Sequence, residues 1–279
     1  MKNLKYSIIV FLVLMVSCKT KTITTKKTEP AKTVNANIVF QLDFEKDSVG
    51  KYLDANLLKD VGKVTWKIVE DKASIEQDTK HGKVLKVKYP KGAVGPKQGG
   101  IQFDKPLPKF NEYYLDYYLK FAKGFDFALG GKLPGLTSGG EKYTGGIHPD
   151  HGEGWSARYM WREKGAIILY FYHMDMKHKW GDIVEMNSVF KTGEWYRITQ
   201  HLKMNDTNKF NGVMEVWVDG KKVVNDTKVR YRLAPLGDID SFYFSTFHGG
   251  QGDDWAPKHD VYCYYDDFKV TKNKPKGLE

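Results

Sequence analysis

The chain has 279 residues, 41% of them apolar and 14% aromatic, with a formal net charge of +10 and only two cysteines. That content suffices for one sizeable core, and two cysteines are too few for a disulfide framework. The positive balance suits an anionic polymer, but no zinc-finger spacing, helix-turn-helix pattern or basic helix accompanies it, which speaks against nucleic acid as a partner.

Met1-Lys2-Asn3-Leu4-Lys5 is short and basic, and Ile8 to Val16 is apolar yet too short to cross a bilayer, the pattern of a secretory signal. The run ends Leu14-Met-Val-Ser-Cys18, which resembles a bacterial lipoprotein processing site, with Met15 as a departure from the usual choice. Residues 1–17 are therefore expected to be removed. Lipid on Cys18 would then anchor the protein to a membrane of a Gram-negative-type bacterium, at the outer membrane or the periplasmic or cell surface. Residues 18–37 are rich in Lys and Thr, contain Pro30 and hold almost nothing apolar, so they read as a solvated tether. The tether carries five lysines against Glu29, which leaves the folded part only about half of the mature charge. With Cys18 lipidated, Cys263 has no partner; its place in Val261-Tyr-Cys-Tyr-Tyr265 predicts a buried strand residue.

From residue 38 to 279 short alternating segments recur between Gly, Asn and Asp, and they read as one domain. The predicted strands are Ile38–Phe44, Val64–Ile68, Val84–Tyr89, Tyr113–Phe121, Trp155–Trp161, Ala166–Tyr172, Trp195–Leu202, Gly212–Val218, Lys221–Val224, Asp240–Thr246 and Tyr262–Val270. Asp219-Gly220 between two of them favours a type I′ hairpin turn. No sustained helical period and no internal repeat is present. The fold class expected is all-β: a β-jelly roll, that is, a two-sheet antiparallel sandwich with a concave groove suited to a polymer.

The most informative segment is Trp155-Ser-Ala-Arg-Tyr-Met-Trp-Arg162, then Glu163-Lys-Gly165, then Ala166-Ile-Ile-Leu-Tyr-Phe-Tyr172. A three-residue connection ending in Gly is a common hairpin loop, because Gly accepts the left-handed backbone there. Counting outwards pairs Arg162 with Ala166, Met160 with Ile168, Arg158 with Tyr170 and Ser156 with Tyr172. Opposed residues share a face. Ser156, Arg158, Tyr170 and Tyr172 are thus predicted together, with Trp155, Ala157, Tyr159, Ile167, Leu169 and Phe171 on the other side. Two phenols and an Arg also decorate solvated sheet faces.

The segments Lys132-Leu-Pro-Gly-Leu136, Trp155-Ser-x-Arg158 and Tyr170-x-Tyr172 resemble family 14 polysaccharide lyases, which include alginate lyases of algal viruses and marine molluscs. The resemblance runs from about Gly130 to Val270, takes in Val216-Trp-Val-Asp-Gly220 and Phe244-Ser-Thr-Phe-His-Gly-Gly250, and is weak before residue 95. It implies a β-jelly roll that cuts polyuronates by β-elimination, with Lys132, Ser156, Arg158, Tyr170 and Tyr172 in the places of the family's functional residues. No metal is needed for that chemistry; a structural Ca2+ elsewhere is compatible with it.

Elimination must neutralise the uronate carboxylate, remove the C5 proton and protonate the departing O4. Arg158 suits the carboxylate, since its planar fork stays charged and grips both oxygens. Lys132, in the Gly-rich stretch Gly130 to Gly135, is expected on a loop at the groove edge. A phenol is a poor base near neutral pH, so Arg158 opposite Tyr170 is expected to lower that phenol's pKa. One Tyr is base and acid and the other positions it; Tyr172 is taken as the main proton carrier. Ser156 orients substrate or phenol, and no His/Asp set makes it a nucleophile. Gln102 is a candidate for binding the carboxylate, and His148, Trp180 and Tyr143 for binding sugar. His148, Asp150 and His151 form an incomplete ligand set in what reads as a loop.

Three other readings compete. A carbohydrate-binding module would use platforms such as Trp180, Trp255 and Tyr143 but has no need of the Ser-x-Arg and Tyr-x-Tyr set. A glycoside hydrolase needs two carboxylates at fixed separation, and Glu215 with Asp219 in a turn does not supply them. A structural surface lipoprotein explains the anchor alone. The reading that uses the most residues is a monomeric lyase of an anionic polysaccharide, a 1,4-linked polyuronate: alginate first, with polymannuronate favoured, and glucuronan second.

Overall fold

Period-two alternation governs the chain. The structure, a computed structural model describing residues 37–279, resolves it into sixteen strands and one short α-helix. The predicted signal segment, Cys18 and nearly all of the tether lie outside the described residues. In chain order the elements are β1 (Ile38–Leu42), β2 (Gly50–Lys51), α1 (Asp54–Val61), β3 (Lys67–Ile68), β4 (Ala73–Asp78), β5 (Gly82–Tyr89), β6 (Ile101–Phe110) and β7 (Glu112–Phe121). Then come β8 (Gly130–Ser138), β9 (Trp155–Arg162), β10 (Ala166–Tyr172), β11 (Asp182–Val189), β12 (Tyr196–Lys203), β13 (Gly212–Val218), β14 (Lys221–Val229), β15 (Ile239–His248) and β16 (Val261–Thr271).

They form two antiparallel sheets. The nine-stranded sheet runs β14-β13-β12-β7-β16-β5-β4-β2, with β1 also on β16, and the seven-stranded sheet runs β11-β10-β9-β8-β15-β6-β3. The core lies between them, where Trp155, Trp161, Tyr117, Tyr159, Phe242, Phe244 and Tyr265 are buried. Full burial of each such side chain contributes roughly 1.5–3 kcal/mol. Cys263 sits in this core, and burial pushes its thiol up to about 12, so it is an inert structural residue.

The two-residue turn has Asp219 at φ 50° and Gly220 at φ 83°, the positive pair that a type I′ turn requires. Several elements depart from the sequence expectation. The helix α1 buries only Leu57 and Val61, too few positions to show a period. β6 contains Pro106 and Pro108, β4 and β11 are strands where none was predicted, and β8 replaces the predicted loop around Lys132. Gly and Pro argue against a strand, but in β8 the glycines make room. A Cβ on Gly131 would lie 2.0 Å from the Trp161 ring, and one on Gly135 would lie 2.1 Å from the Ala157 carbonyl. Lys132 is therefore held in the middle of a sheet.

Candidate active site

The β9–β10 hairpin has the register counted from its loop: Ile168 opposite Met160, Tyr170 opposite Arg158, Tyr172 opposite Ser156. Lys164 and Gly165 take φ 57° and 82° in the connection, which winds as a short 3-10 turn. Trp155, Ala157, Tyr159, Ile167, Leu169 and Phe171 face the core. The alternate residues Arg158, Met160, Arg162, Ile168, Tyr170 and Tyr172 floor a groove of about 690 Å3 on the outer face of the seven-stranded sheet.

Arg158 is 3% exposed, donates from Nη1 to Ser245 Oγ at 3.0 Å and lies 5.0 Å over the Tyr243 ring. Behind it, Gln102 Oε1 accepts from Tyr243 OH at 2.9 Å and Ser245 Oγ at 3.1 Å, while Gln102 Nε2 donates to the Pro96 carbonyl at 2.9 Å. Gln102 thus lines the groove, and its amide holds Ser245, Tyr243 and Pro96. Arg158 Nε has no partner, so the guanidinium keeps an unused donor. Burial pulls its pKa below the ordinary value, yet guanidinium stays charged.

A bulge in β8 at Pro134 brings Gly135 against Arg158. It is secured from the opposite sheet. Gln200 accepts from the Leu136 amide at 3.0 Å and donates to the Ala157 carbonyl at 2.9 Å, and Tyr117 OH donates to the Pro134 carbonyl at 3.2 Å. These bonds satisfy groups that would otherwise be buried and unpaired.

The two phenols meet edge to face, with ring centroids 5.4 Å apart and oxygens 3.4 Å apart. Tyr172 OH also accepts the Gly146 amide proton at 3.1 Å. Tyr170 departs from expectation: its pKa is raised, because burial and the Tyr172 hydroxyl outweigh the pull of Arg158. Arg158 still pulls this phenol down, but the loss of water costs the phenolate more, and the resting Tyr170 is a protonated phenol.

Lys132 Nζ lies 4.4 Å over the Tyr170 ring and 3.0 Å from Met160 Sδ. Its pKa is pulled well below the ordinary value by burial, then by Arg158 and Arg162. The groove lining includes no carboxylate, and among the described residues Lys132, Arg158 and Arg162 join no ion pair. Trp180, 48% exposed, and Ile183 wall the groove near Tyr172; Trp255, under Arg162 at 5.2 Å, walls it elsewhere.

The remaining predicted residues are placed differently. Ser156 is fully buried and donates to the Tyr143 carbonyl at 2.7 Å, which ties down the start of the loop that sends Gly146 to Tyr172. Tyr143 is buried against a separate hollow lined by Ser138, Glu153 and Leu236. His148 is half-buried and outside the groove lining. His148, Asp150 and His151 do not converge as ligands among the described residues. Sequence reasoning missed Tyr243, Met160, Arg162 and Phe247 as groove residues and Ser245 as the partner of Arg158. The signals available were the hairpin register, which puts Met160 and Arg162 on the Arg158 face, and the alternation Tyr243-x-Ser245-x-Phe247 within a segment already read as a strand.

The polysaccharide lyase 14 family model matches residues 77–268, beginning well upstream of the motifs noted in the sequence. No curated protein matches the chain by sequence. Among solved structures, alginate lyase Aly36B is 26% identical with a TM-score of 0.74, over 86% of this chain and 98% of that one. A mutant of that lyase in complex with alginate trisaccharide is likewise 26% identical with a TM-score of 0.74, over 85% and 100%. Alginate lyase vAL-1 from a Chlorella virus is 27% identical with a TM-score of 0.63, over 81% and 100%.

Proposed function

The chain belongs to the polysaccharide lyase 14 family, and on that premise we propose that it cleaves a 1,4-linked polyuronate by β-elimination, with alginate as first substrate, its mannuronate-rich form favoured, and glucuronan as second. The observation that carries the proposal is the groove's composition: three cations and two touching phenols with no carboxylate lining it. Two-carboxylate hydrolysis has no residues to work with there.

In this reading Arg158 and Lys132 take the uronate carboxylate, which stabilises the charge that spreads onto it as C5 loses its proton. An arriving carboxylate gives Lys132 the counter-charge it lacks, so substrate binding and proton uptake by Lys132 are coupled. Tyr172 takes the C5 proton as its own phenolic proton passes to Tyr170, whose oxygen is 3.4 Å away, and Tyr170 passes its proton to the departing O4. The C5–H electron pair becomes the C4–C5 double bond, the C4–O4 bond breaks, and both phenols end protonated. Gln102, Ser245 and Ser156 act through the residues they hold, and Trp180 and Trp255 supply faces for sugar rings. The test is ultraviolet absorbance. Purified protein should shorten alginate with new absorbance from the unsaturated uronate end; shortening without it means hydrolysis, and binding without shortening means a binding module.

The proposal extends to location. Lipid on Cys18, with residues 18–37 as tether, would hold a monomeric enzyme at a membrane surface where it meets polymer. Cys18→Ser should abolish incorporation of labelled fatty acid and release the protein from membranes; unchanged membrane association would refute the anchor.

A further inference from the structure

A second cluster of chemistry-bearing side chains lies in the nine-stranded sheet, away from the groove. Strand β16 pairs with β5 over Val261–Tyr265 and with β1 over Phe268–Thr271. Between those stretches Asp266 and Asp267 break register against β7, and Asp267 takes φ 54°, a left-handed conformation that is uncommon for a residue with a Cβ. Such bulges re-aim side chains. Here the bulge points two successive carboxylates at a hollow of about 350 Å3 lined also by Asp43, Glu45, Lys80, His81 and Tyr118.

Single ligand atoms from His81, Asp266 and Asp267 all lie within 4.8 Å of one another. Asp266 is 3% exposed, and its Oδ1 has no hydrogen-bond partner. Its other oxygen is 3.4 Å from His81 Nδ1, and the His81 ring is fixed by Trp195 at 4.2 Å and Tyr118 at 4.7 Å. Of the neighbouring cations only Lys269 reaches a proposed ligand, at Asp267, and the others are engaged elsewhere or face water. Lys269 donates to Asp267 at 3.1 Å, Lys83 to the Glu45 and Asp47 carbonyls and Lys120 to Asp78, while Lys80 is exposed. A carboxylate this buried is costly without a counter-charge, and among the described residues no lysine or arginine pairs with it.

We propose that Asp266, Asp267 and His81 bind a hard divalent cation, Ca2+ first, with Asp43 and Glu45 adding negative charge around it. The ligand set favours the ion, because Ca2+ accepts carboxylate oxygens in flexible, irregular geometry whereas Mg2+ demands a near-ideal octahedron. An imidazole beside carboxylates also suits Mn2+, which is the second ion to try. The bound ion joins three segments: the bulge of β16, the chain leaving β1 and the β4–β5 turn. Its effect is on stability, and the groove chemistry on the other sheet proceeds without it.

The experiment is thermal melting of the full protein after chelation, with Ca2+, Mn2+ or Mg2+ added back. Millimolar Ca2+ should raise the midpoint by at least ~3 °C, Mn2+ by a comparable amount and Mg2+ by less, since an ion that binds only the folded state stabilises it. Asp267→Asn and His81→Gln should each remove most of that gain while leaving turnover on polyuronate within about twofold. Asp266→Asn should remove it entirely; if that variant fails to fold, the other two carry the test. A wild-type midpoint indifferent to all three ions overturns the proposal. So does a gain retained in Asp267→Asn.

Discussion

Both sheets carry basic side chains on their outer faces, and the two faces treat them in opposite ways. On the nine-stranded sheet Arg197 grips Asp116 through Nε at 2.9 Å and Nη2 at 2.8 Å, and His201 lies between Glu112 at 3.0 Å and Glu215 at 2.8 Å. The carboxylate raises the Arg197 pKa, whereas burial without a carboxylate lowers that of Arg158. The groove keeps Lys132, Arg158 and Arg162 together with no acid in its lining. A fold selected for stability alone would not leave like charges crowded and partly buried. The cost is understandable if an external anion supplies the missing charge, as a polyuronate does at every residue.

That contrast can be broken by removing groove chemistry while keeping packing. The largest effect is expected for Tyr172→Phe, which deletes one hydroxyl and keeps the ring. Turnover should fall by at least ~10²-fold, the scale for losing a general acid or base, with the melting midpoint nearly unchanged. If turnover survives, the proton role passes to Tyr170, and survival in Tyr170→Phe as well would remove phenols from the mechanism.

Lys132→Met comes next and sharpens the comparison through stability. Lys132 has a depressed pKa in the folded protein, so the unfolded chain binds the extra proton and gains on the folded one below the ordinary lysine pKa of about 10.4. Removing the amine should therefore lower turnover at least ~10-fold while raising the midpoint at pH 7 by about 2–4 °C, the equivalent of roughly 1 kcal/mol at this size. The gain should shrink as the pH rises toward ~10. Equal destabilisation at every pH would show that Lys132 belongs to the fold.

Gln200→Leu should have the smallest effect on chemistry. It strips partners from the Leu136 amide and Ala157 carbonyl, at about 1–3 kcal/mol for each group left unpaired. A lower midpoint with a turnover loss under ~10-fold is expected, because the β8 bulge supports Arg158 without touching substrate. Unchanged melting would mean that the bulge holds itself.

What could be read from the sequence follows from how local the determinants are. The β9–β10 register was legible because a short Gly-ended loop fixes it by counting, and that register alone put Arg158 beside Tyr170 and Tyr172. Strand β8 was not legible: its glycines serve contacts with Trp161 and Ala157 that only the folded sheet creates. The direction of the Tyr170 shift failed for a similar reason, since the neighbouring charge can be counted from sequence and the loss of water cannot. Tyr243, Ser245 and Gln102 come from strands far along the chain and meet Arg158 only through the sheet order.

The most direct test of the account makes one substitution on both faces, Arg158→Lys and Arg197→Lys, and measures turnover on alginate together with the melting midpoint. Each change keeps the charge and loses the planar fork. The account predicts opposite outcomes. Arg158→Lys should lose at least ~10-fold in turnover with a midpoint within about 2 °C of wild type, and Arg197→Lys should keep turnover while melting lower by the equivalent of about 1 kcal/mol. If both variants lose turnover only in proportion to lost stability, the unpaired cations of the groove are not there for substrate, and the central claim is wrong.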